Sequence, residues 1–253
     1  MKFTQLASTF AITIVVTALP SFAQVPAPAL VNVIRYHVKR DHIPEFEEIQ
    51  KQIAGAYKKA ASDRYRVIYR EEYGDTAGYW VLTPMSGFAD RDVQNPYVKM
   101  STEPERAARA ARLAQYLESV QTSIERYVGD LSVTSPGIPF PPTFFRYLRI
   151  RVRPGTTEQL IANLKTDVLP ALKKMNGVPV SVRQVVYGGN TDEFTVATGF
   201  QKWGDLDDTL GAETFRKFEE KMQGIETNVE EYIVNYEPAL SYYPAATPAT
   251  GSR

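Results

Sequence analysis

The chain has 253 residues, 43% hydrophobic and 23% charged, which is typical of a globular protein with one large or two small domains. Its 29 basic residues balance its 29 acidic residues, which argues against binding nucleic acid or an anionic membrane through charge. Because there is no cysteine, disulfides, thiolate metal sites, iron–sulfur clusters and cysteine catalysis are excluded. Only two histidines are present, so a zinc site of the usual kind is excluded too, and we expect neither a metal nor a cofactor.

The first 23 residues have the pattern of a cleaved export signal. Lys2 is their only charge, an apolar run interrupted only by threonines extends from Phe10 to Ala18, and Ser21-Phe22-Ala23 places small residues where signal peptidase cleaves. The apolar run is shorter than the roughly 20 residues that a membrane-spanning helix needs, so a retained anchor is the less favoured alternative. We therefore predict a mature protein from Gln24 onward, periplasmic or secreted, without stable membrane insertion.

Two parts of the chain resemble each other at a nearly constant spacing, which indicates an internal repeat. Tyr73-Gly74 recurs as Tyr187-Gly188, and Val38–Asp41 parallels Val152–Gly155, both 114 residues further on. Each copy also closes with Leu-Ser, at 131–132 and at 240–241. The predicted divisions are a signal peptide at 1–23, a linker at 24–30, repeat 1 at 31–133, a Pro-rich linker at 134–142, repeat 2 at 143–241 and a disordered tail at 242–253.

Each copy has the pattern strand, helix, two strands, helix, strand, which is the ferredoxin-like motif. In the first strand, Ile34, Tyr36 and Val38 alternate with Arg35 and His37, so that the two sets face opposite sides of the sheet. Further predicted elements are strands at 65–73, 78–85, 180–187 and 193–201, helices at 103–118 and 212–223, last strands centred on Tyr127 and Tyr232, and a helix kinked at Pro170. Because helices cover one face of each sheet, the other face needs a partner. We predict an α+β fold in which tandem ferredoxin-like repeats form an intramolecular pseudo-dimeric α/β barrel.

Two local patterns resemble the dimeric α/β-barrel superfamily, which includes antibiotic-biosynthesis-type monooxygenases, the NIPSNAP and EthD families and relatives of chlorite dismutase. One is the segment Val152–Gly155, which leads from a strand into a helix. The other is Phe200–Leu206 followed by Thr214–Met222, which is similar to the strand, Trp turn and helix of those domains, and is degraded to Met85–Phe88 in the first copy. The resemblance implies the barrel fold over nearly all of residues 30–241.

Some members of that superfamily degrade haem with an Asn, a Trp and a His. The positions in this chain that correspond to those three residues hold Leu148, Ala212 and Glu219, and Ile34 holds the Asn position in the first copy. None matches, so haem degradation by that mechanism is disfavoured.

The two first strands carry a polar face. Arg35 and His37 lie opposite Arg149 and Arg151, and we expect these side chains to point between the sheets with Glu71, Glu125 or Glu230 as partners. They could form an anion or polar-ligand site with His37 as acid or base. Alternatively, and in our interpretation preferably, they form a salt-bridge network that holds the halves in register.

Tyrosines on strands extend this candidate site. Tyr69 and Tyr187 could line an aromatic ligand pocket, although strand tyrosines more often serve packing. Trp80 and Trp203 are predicted core anchors. The candidate ligand-binding set is therefore Arg35, His37, Tyr69, Arg149, Arg151 and Tyr187, with His37 the one candidate catalytic residue.

The first copy has about ten extra residues around Asp92–Pro104. This segment could be a lid beside the superfamily's pocket or a neutral surface insertion. The resulting functional hypothesis is an exported protein that binds a small apolar or anionic molecule and no nucleic acid. The alternatives are a cofactor-independent monooxygenase-like enzyme and a structural or partner-binding protein, and further homo-oligomerisation is compatible with each.

Overall fold

The computed structural model describes residues 27–133, 140–174, 178–207, 217–218 and 220–244. The predicted signal peptide, most of the Pro-rich linker and residues 245–253 of the predicted tail lie outside these ranges. The described chain continues to Pro244, and Tyr242 pairs with Arg66, so strand pairing extends past residue 241. No helix in the described ranges is long and apolar enough to cross a membrane.

The elements that are described over their full length are eight strands and five α-helices. The first half contains β1 (Leu30–Val38), α1 (Ile43–Lys59), β2 (Val67–Tyr73), β3 (Gly78–Met85), α2 (Pro96–Lys99), α3 (Glu103–Tyr116) and β4 (Leu117–Tyr127). The second half contains β5 (Phe144–Val152), α4 (Thr157–Asn163), α5 (Leu169–Lys174), β6 (Val180–Tyr187), β7 (Glu193–Phe200) and β8 (Glu226–Tyr236). Short 3₁₀ turns lie at 40–42, 88–91, 129–131 and 203–206.

The strands close one barrel in the order β1-β3-β2-β8-β5-β7-β6-β4, and every neighbouring pair is antiparallel. The four strands of each half are contiguous, and the halves join through the pairs β2–β8 and β4–β6. The predicted α+β barrel is therefore confirmed. Because the barrel is closed, no sheet edge is left unpaired.

Strand alternation divides the buried side chains into three layers. One layer fills the barrel and includes Tyr69, Trp80 and Tyr147. The other two lie between the barrel and the helices, one in each half. Ile34, Tyr36 and Val38 lie in the helix-covered layer of the first half, as their alternation predicted. The counterpart in the second half contains Leu148, Ile150 and Val152.

Two local features differ from the predicted elements, and a third element is described only in part. Tyr127 is the last residue of β4 rather than its centre. A π-helical turn, Leu164–Val168, joins α4 to α5 just before Pro170, because proline has no N–H to continue the regular pattern. Of the helix predicted at 212–223, only 217–218 and 220–223 are described, and residues 217–218 and 220–222 are helical.

Each half ends in a short strap that packs against the other half. Leu131 is buried in the helix-covered layer of the second half, and Leu240 is buried in that of the first. The hydroxyl of Ser132 accepts a hydrogen bond from the backbone N–H of Val182 at 2.9 Å, and Ser241 does the same for Ile68 at 2.8 Å. The Leu-Ser pairs therefore close reciprocal contacts between the halves.

The extra segment Asp92–Pro104 packs against neighbouring helices. It contains α2, which contacts α1, and the ring of Tyr97 lies 4.2 Å from the guanidinium carbon of Arg109 on α3. The guanidinium of Arg106 donates a hydrogen bond to the carbonyl of Val98 at 3.3 Å. A role as a lid stays a prediction.

Candidate functional site

Arg35, Arg149 and Arg151 face the inside of the barrel toward one of its ends. Nη2 of Arg35 lies 3.8 Å from Oε1 of Glu71, and its guanidinium carbon lies 4.2 Å from the centre of the Trp80 ring. Glu71 is buried and accepts a hydrogen bond from the indole N–H of Trp80 at 2.7 Å. Burial raises the pKa of Glu71, and its bond to Trp80 and the charge of Arg35 oppose that rise.

The second half contributes a denser ion-pair network. Arg149 binds Glu193 and also donates to Oε2 of Glu230 at 2.9 Å, while Arg151 binds the other oxygen of Glu193 at 2.8 Å. Tyr232 donates its hydroxyl hydrogen to Glu230 at 2.8 Å, and its ring lies 5.0 Å from the guanidinium of Arg35. Burial alone would lower the pKa of Arg149, but these carboxylates raise it. The network therefore connects the halves.

The predicted partners of the arginines are correct for Glu71 and Glu230. Glu125 pairs instead with the buried Arg183, whose Nη1 lies 3.2 Å from its Oε2. His37 lies at the same end of β1, 43% exposed, between two carboxylates: Asp75 at 2.8 Å and Glu118 at 3.3 Å. At this end of the barrel there are therefore at least as many carboxylates as arginines. This balance supports the interpretation as a salt-bridge network over the interpretation as an anion site.

The centre of the barrel is filled by stacked groups. The rings of Trp80 and Tyr147 are 4.9 Å apart and nearly parallel, at 6°. Arg35 caps this pair on the Trp80 side, and Arg183 lies 5.6 Å from the Tyr147 ring. Tyr69 is fully buried in the same layer, its pKa raised well above the usual value by burial, and burial raises the pKa of Tyr147 to about 12. Both phenols are therefore neutral at physiological pH.

Tyr187 does not join the other candidates. It is 61% exposed, and its ring lies 5.3 Å from that of Phe88 outside the barrel. The register of the β4–β6 pair shifts between Ile124 and Glu125, so the end of β6 departs from simple alternation. Trp203 was predicted as a core anchor but is 46% exposed, whereas Trp80 is buried as predicted.

The helix-covered layer of the first half contains a buried cation that the sequence analysis missed. Arg66 precedes β2 and is only 6% exposed. Its Nη2 donates to Oε1 of Gln50 on α1 at 2.5 Å, whereas Nη1 of Arg66 and Nε2 of Gln50 have no hydrogen-bond partner among the described groups. Burial lowers the pKa of Arg66, and no described carboxylate forms an ion pair with it.

Two phenols flank this buried pair. The pKa values of Tyr36 on β1 and Tyr57 on α1 are raised by burial, and the charge of Arg66 opposes both rises. Tyr57 also contacts the strap, with its ring 6.0 Å from that of Tyr242. Arg66, Gln50, Tyr36 and Tyr57, which we call the Arg66 cluster, therefore present neutral hydrogen-bonding groups around a single positive charge.

A position-by-position comparison of the two copies could have found this cluster. At the repeat spacing of 114 residues, Arg66 corresponds to Val180 and Gln50 to Leu164, both buried and apolar. A charged residue in one copy at an apolar core position of the other is a recognisable signal. Within the described ranges, no group of three or more His, Cys, Asp or Glu side chains is arranged to hold a metal ion.

No family model and no curated protein matches this sequence. Solved structures do match its shape. An anthrone oxidase-like protein has a TM-score of 0.62 at 8% identity, over 89% of this chain and 98% of its own. A proposed monooxygenase from Lactobacillus acidophilus has a TM-score of 0.58 at 7% identity, over 86% of this chain and 97% of its own. A second proposed monooxygenase, from Fusobacterium nucleatum, has a TM-score of 0.58 at 12% identity, over 84% and 94%. The likeness shows the fold alone.

Proposed function

We propose that the protein binds a small organic anion in the helix-covered layer of its first half, where Arg66 recognises the negative charge. One observation carries the proposal. The guanidinium of Arg66 is buried, its Nη1 has no hydrogen-bond partner, and no carboxylate in the described part of the chain forms an ion pair with it. An unpaired buried charge costs several kcal/mol of stability. A bound anion would offset that cost.

The barrel interior supports a different role. Arg35, Arg149, Arg151 and Arg183 each lie within 4 Å of a carboxylate, so they need no added anion. We propose that these ion pairs hold the two halves in register. Ligand contacts at Arg35, His37, Tyr69, Arg149, Arg151 and Tyr187 stay predictions.

A cofactor-independent monooxygenase-like enzyme is the second candidate. The names of the solved structures that share the fold favour it, and the neutral phenols of Tyr36 and Tyr57 would supply protons beside a bound anion. Oxygen uptake in an oxygen electrode on addition of an anthrone or a hydroquinone would distinguish an enzyme from a binding protein. No uptake above the protein-free rate would count against oxidation of these substrates and favour the binding function over the enzyme.

We also propose that the halves are tandem ferredoxin-like repeats of an exported, periplasmic or secreted protein. Each half has the same strand order, and exposed aromatic contacts recur reciprocally: Tyr73 lies against Trp203, and Tyr187 against Phe88. The pattern of residues 1–23 supports export. N-terminal sequencing of protein recovered from an exporting host tests the cleavage site before Gln24.

The anion proposal is tested by thermal unfolding with sodium acetate, butyrate and benzoate, with sodium chloride as the reference at equal ionic strength. We expect at least one carboxylate to stabilise the wild type, by about 2.7 kcal/mol when its concentration reaches a hundred times Kd. Arg66→Met removes the charge and should abolish the response. Arg70→Met, four residues further along in β2 and one-third exposed beside Glu47, is the matched control and should keep it. Equal responses in wild type and Arg66→Met would show the proposal to be wrong.

A further inference from the structure

We infer that the anion at the Arg66 cluster is a carboxylate on an apolar body, and that Gln50 is the residue that selects it. The inference rests on the proposed function and goes further, because it names the chemical class of the ligand and the residue that discriminates it from other anions.

Gln50 and Arg66 form one hydrogen-bonded unit with two remaining donors. The bond from Nη2 of Arg66 to Oε1 of Gln50 uses the only acceptor of the pair. It fixes the amide so that Nε2 remains a donor, and this atom and Nη1 of Arg66 are both buried without a partner among the described groups. Two donors on one unit match an anion with two acceptor oxygens, which is the basis of carboxylate recognition by planar groups.

The charge of the site disfavours a dianion. Arg66 is the cation that acts on Tyr36, and the second cation that acts on Tyr57, Arg64, is already paired with Asp90 at 2.9 Å. A phosphate or sulfate dianion would bury one negative charge without a counter-charge, at a cost of several kcal/mol. The described surroundings therefore favour a single negative charge.

The neighbouring side chains set the nature of the rest of the ligand. Apart from the Arg66 cluster and Tyr79, the layer that contains Tyr36 is formed by apolar side chains, which include Phe46, Val81 and Leu240, all at most 1% exposed. Such surroundings stabilise hydrocarbon and aromatic groups rather than hydroxyl-rich ones. We therefore use benzoate as the probe, with acetate as its short analogue.

The test measures the affinities of wild type, Gln50→Leu and Gln50→Glu for sodium benzoate, sodium acetate and sodium chloride by titration calorimetry. Gln50→Leu copies the residue of the second half, Leu164, and is therefore compatible with a layer of this kind. We expect wild type to prefer both carboxylates to chloride, and Gln50→Leu to lose this preference by about tenfold or more, because one hydrogen bond to the anion is removed. Gln50→Glu should bind neither carboxylate, because its own side chain neutralises Arg66.

Two results would overturn the inference while leaving the proposed function intact. One is an unchanged preference for carboxylate over chloride in Gln50→Leu. The other is benzoate binding by Gln50→Glu at wild-type affinity, provided that Arg66→Met still abolishes it. If wild type binds none of the three anions, the proposed function fails together with the inference. Far-ultraviolet circular dichroism of each variant verifies that it is folded.

Discussion

Three matched positions under the helices differ in chemical character between the two halves. In the second half they are Ile150, Leu164 and Val180. In the first half they are Tyr36, Gln50 and Arg66. In each half, these positions lie between the β-sheet and the helical segment that follows the first strand of that half, so the order of elements is the same. Because apolar side chains fill the second layer successfully, the fold does not require a buried cation, and the polar set of the first half calls for a reason other than packing.

The straps make the comparison well matched. Both straps bring a buried leucine and a serine hydroxyl to the layer that they close, and each forms a single bridge to the other half: Val133 to Val180, and Tyr242 to Arg66. The positions that differ in charge are thus the same positions that pair with the straps. At the strap-paired positions Arg66 and Val180 the halves therefore share the same backbone pairing and differ in side-chain chemistry, whereas the helix in front of them is continuous in the first half and has a π-helical turn at Leu164 in the second.

The largest expected effect comes from placing the cation in the wrong half. Val180→Arg buries a guanidinium beside Leu164 and Ile150, which offer no hydrogen-bond acceptor in their side chains. We expect a loss of at least about 3 kcal/mol in the free energy of unfolding, measured by urea denaturation.

Val180→Met, which adds volume without charge, is the control and should cost about 1–3 kcal/mol through overpacking alone, which is less than the charged variant. If Val180→Arg and Val180→Met are equally stable, a buried arginine is tolerated in either layer. The burial of Arg66 would then need no ligand to explain it.

A smaller effect of opposite sign is expected from making the first half resemble the second. The double variant Arg66→Val, Gln50→Leu replaces the polar pair by the residues found at 180 and 164. In the absence of added anions we expect it to be more stable than wild type by about 1–4 kcal/mol, as when buried ionic groups are replaced by well-packed apolar ones.

Urea denaturation in a buffer without carboxylates measures this gain, and Gln50→Leu alone serves as the control. A loss of stability in the double variant would mean that Arg66 contributes to folding through contacts of its own, and the two layers would no longer be comparable.

The sequence alone predicts much of this fold. Alternation locates β3, β6 and β7 to within one residue, because each strand has one face in the barrel and one under helices. It also identifies Arg35 and Arg149 as barrel-facing residues that need carboxylates. These are local properties of a strand, and they can be read from neighbouring residues.

The Arg66 cluster depends on contacts that are distant in sequence. Arg66 lies next to the start of β2, where a charged residue is ordinary, and its backbone pairs with Tyr242 in the strap near the far end of the described chain. The exposed position of Tyr187 has a related cause, since a register shift between two strands is not encoded in the alternation of either. Such features follow from how the halves meet.

The barrel-facing side chains of the two halves differ as well. The buried carboxylate that pairs with an arginine stands on a different strand in each half. In the first half, Glu71 on β2 is the acidic partner of Arg35, and Gly78 at the start of β3 leaves room for it, because a Cβ there would lie 2.5 Å from the carboxyl carbon. In the second half, Val185 replaces the acid on β6, and Glu193 at the start of β7 binds Arg149. The buried carboxylate that pairs with the arginine therefore comes from a different strand in each half, and in the second half Glu230 on β8 adds a second carboxylate.

This difference between the halves predicts a pH dependence for the first half, the smallest effect of the series. Burial raises the pKa of Glu71 in the folded protein, so the folded state holds this proton more tightly than the unfolded state does. The free energy of unfolding is therefore highest below the carboxyl's ordinary pKa. It falls as the pH rises from that ordinary pKa through the raised value in the folded protein, with a slope of at most about 1.4 kcal/mol per pH unit. Glu71→Gln should remove this loss, so the difference in unfolding free energy between Glu71→Gln and wild type should grow in favour of the variant with rising pH.

Glu48→Gln, at an exposed position on α1, is the control, and its unfolding free energy should change with pH in parallel with that of wild type. Parallel curves for Glu71→Gln as well would mean that Glu71 ionises equally in the folded and unfolded states, and the burial of its carboxylate in the first half would then carry no pH-dependent cost.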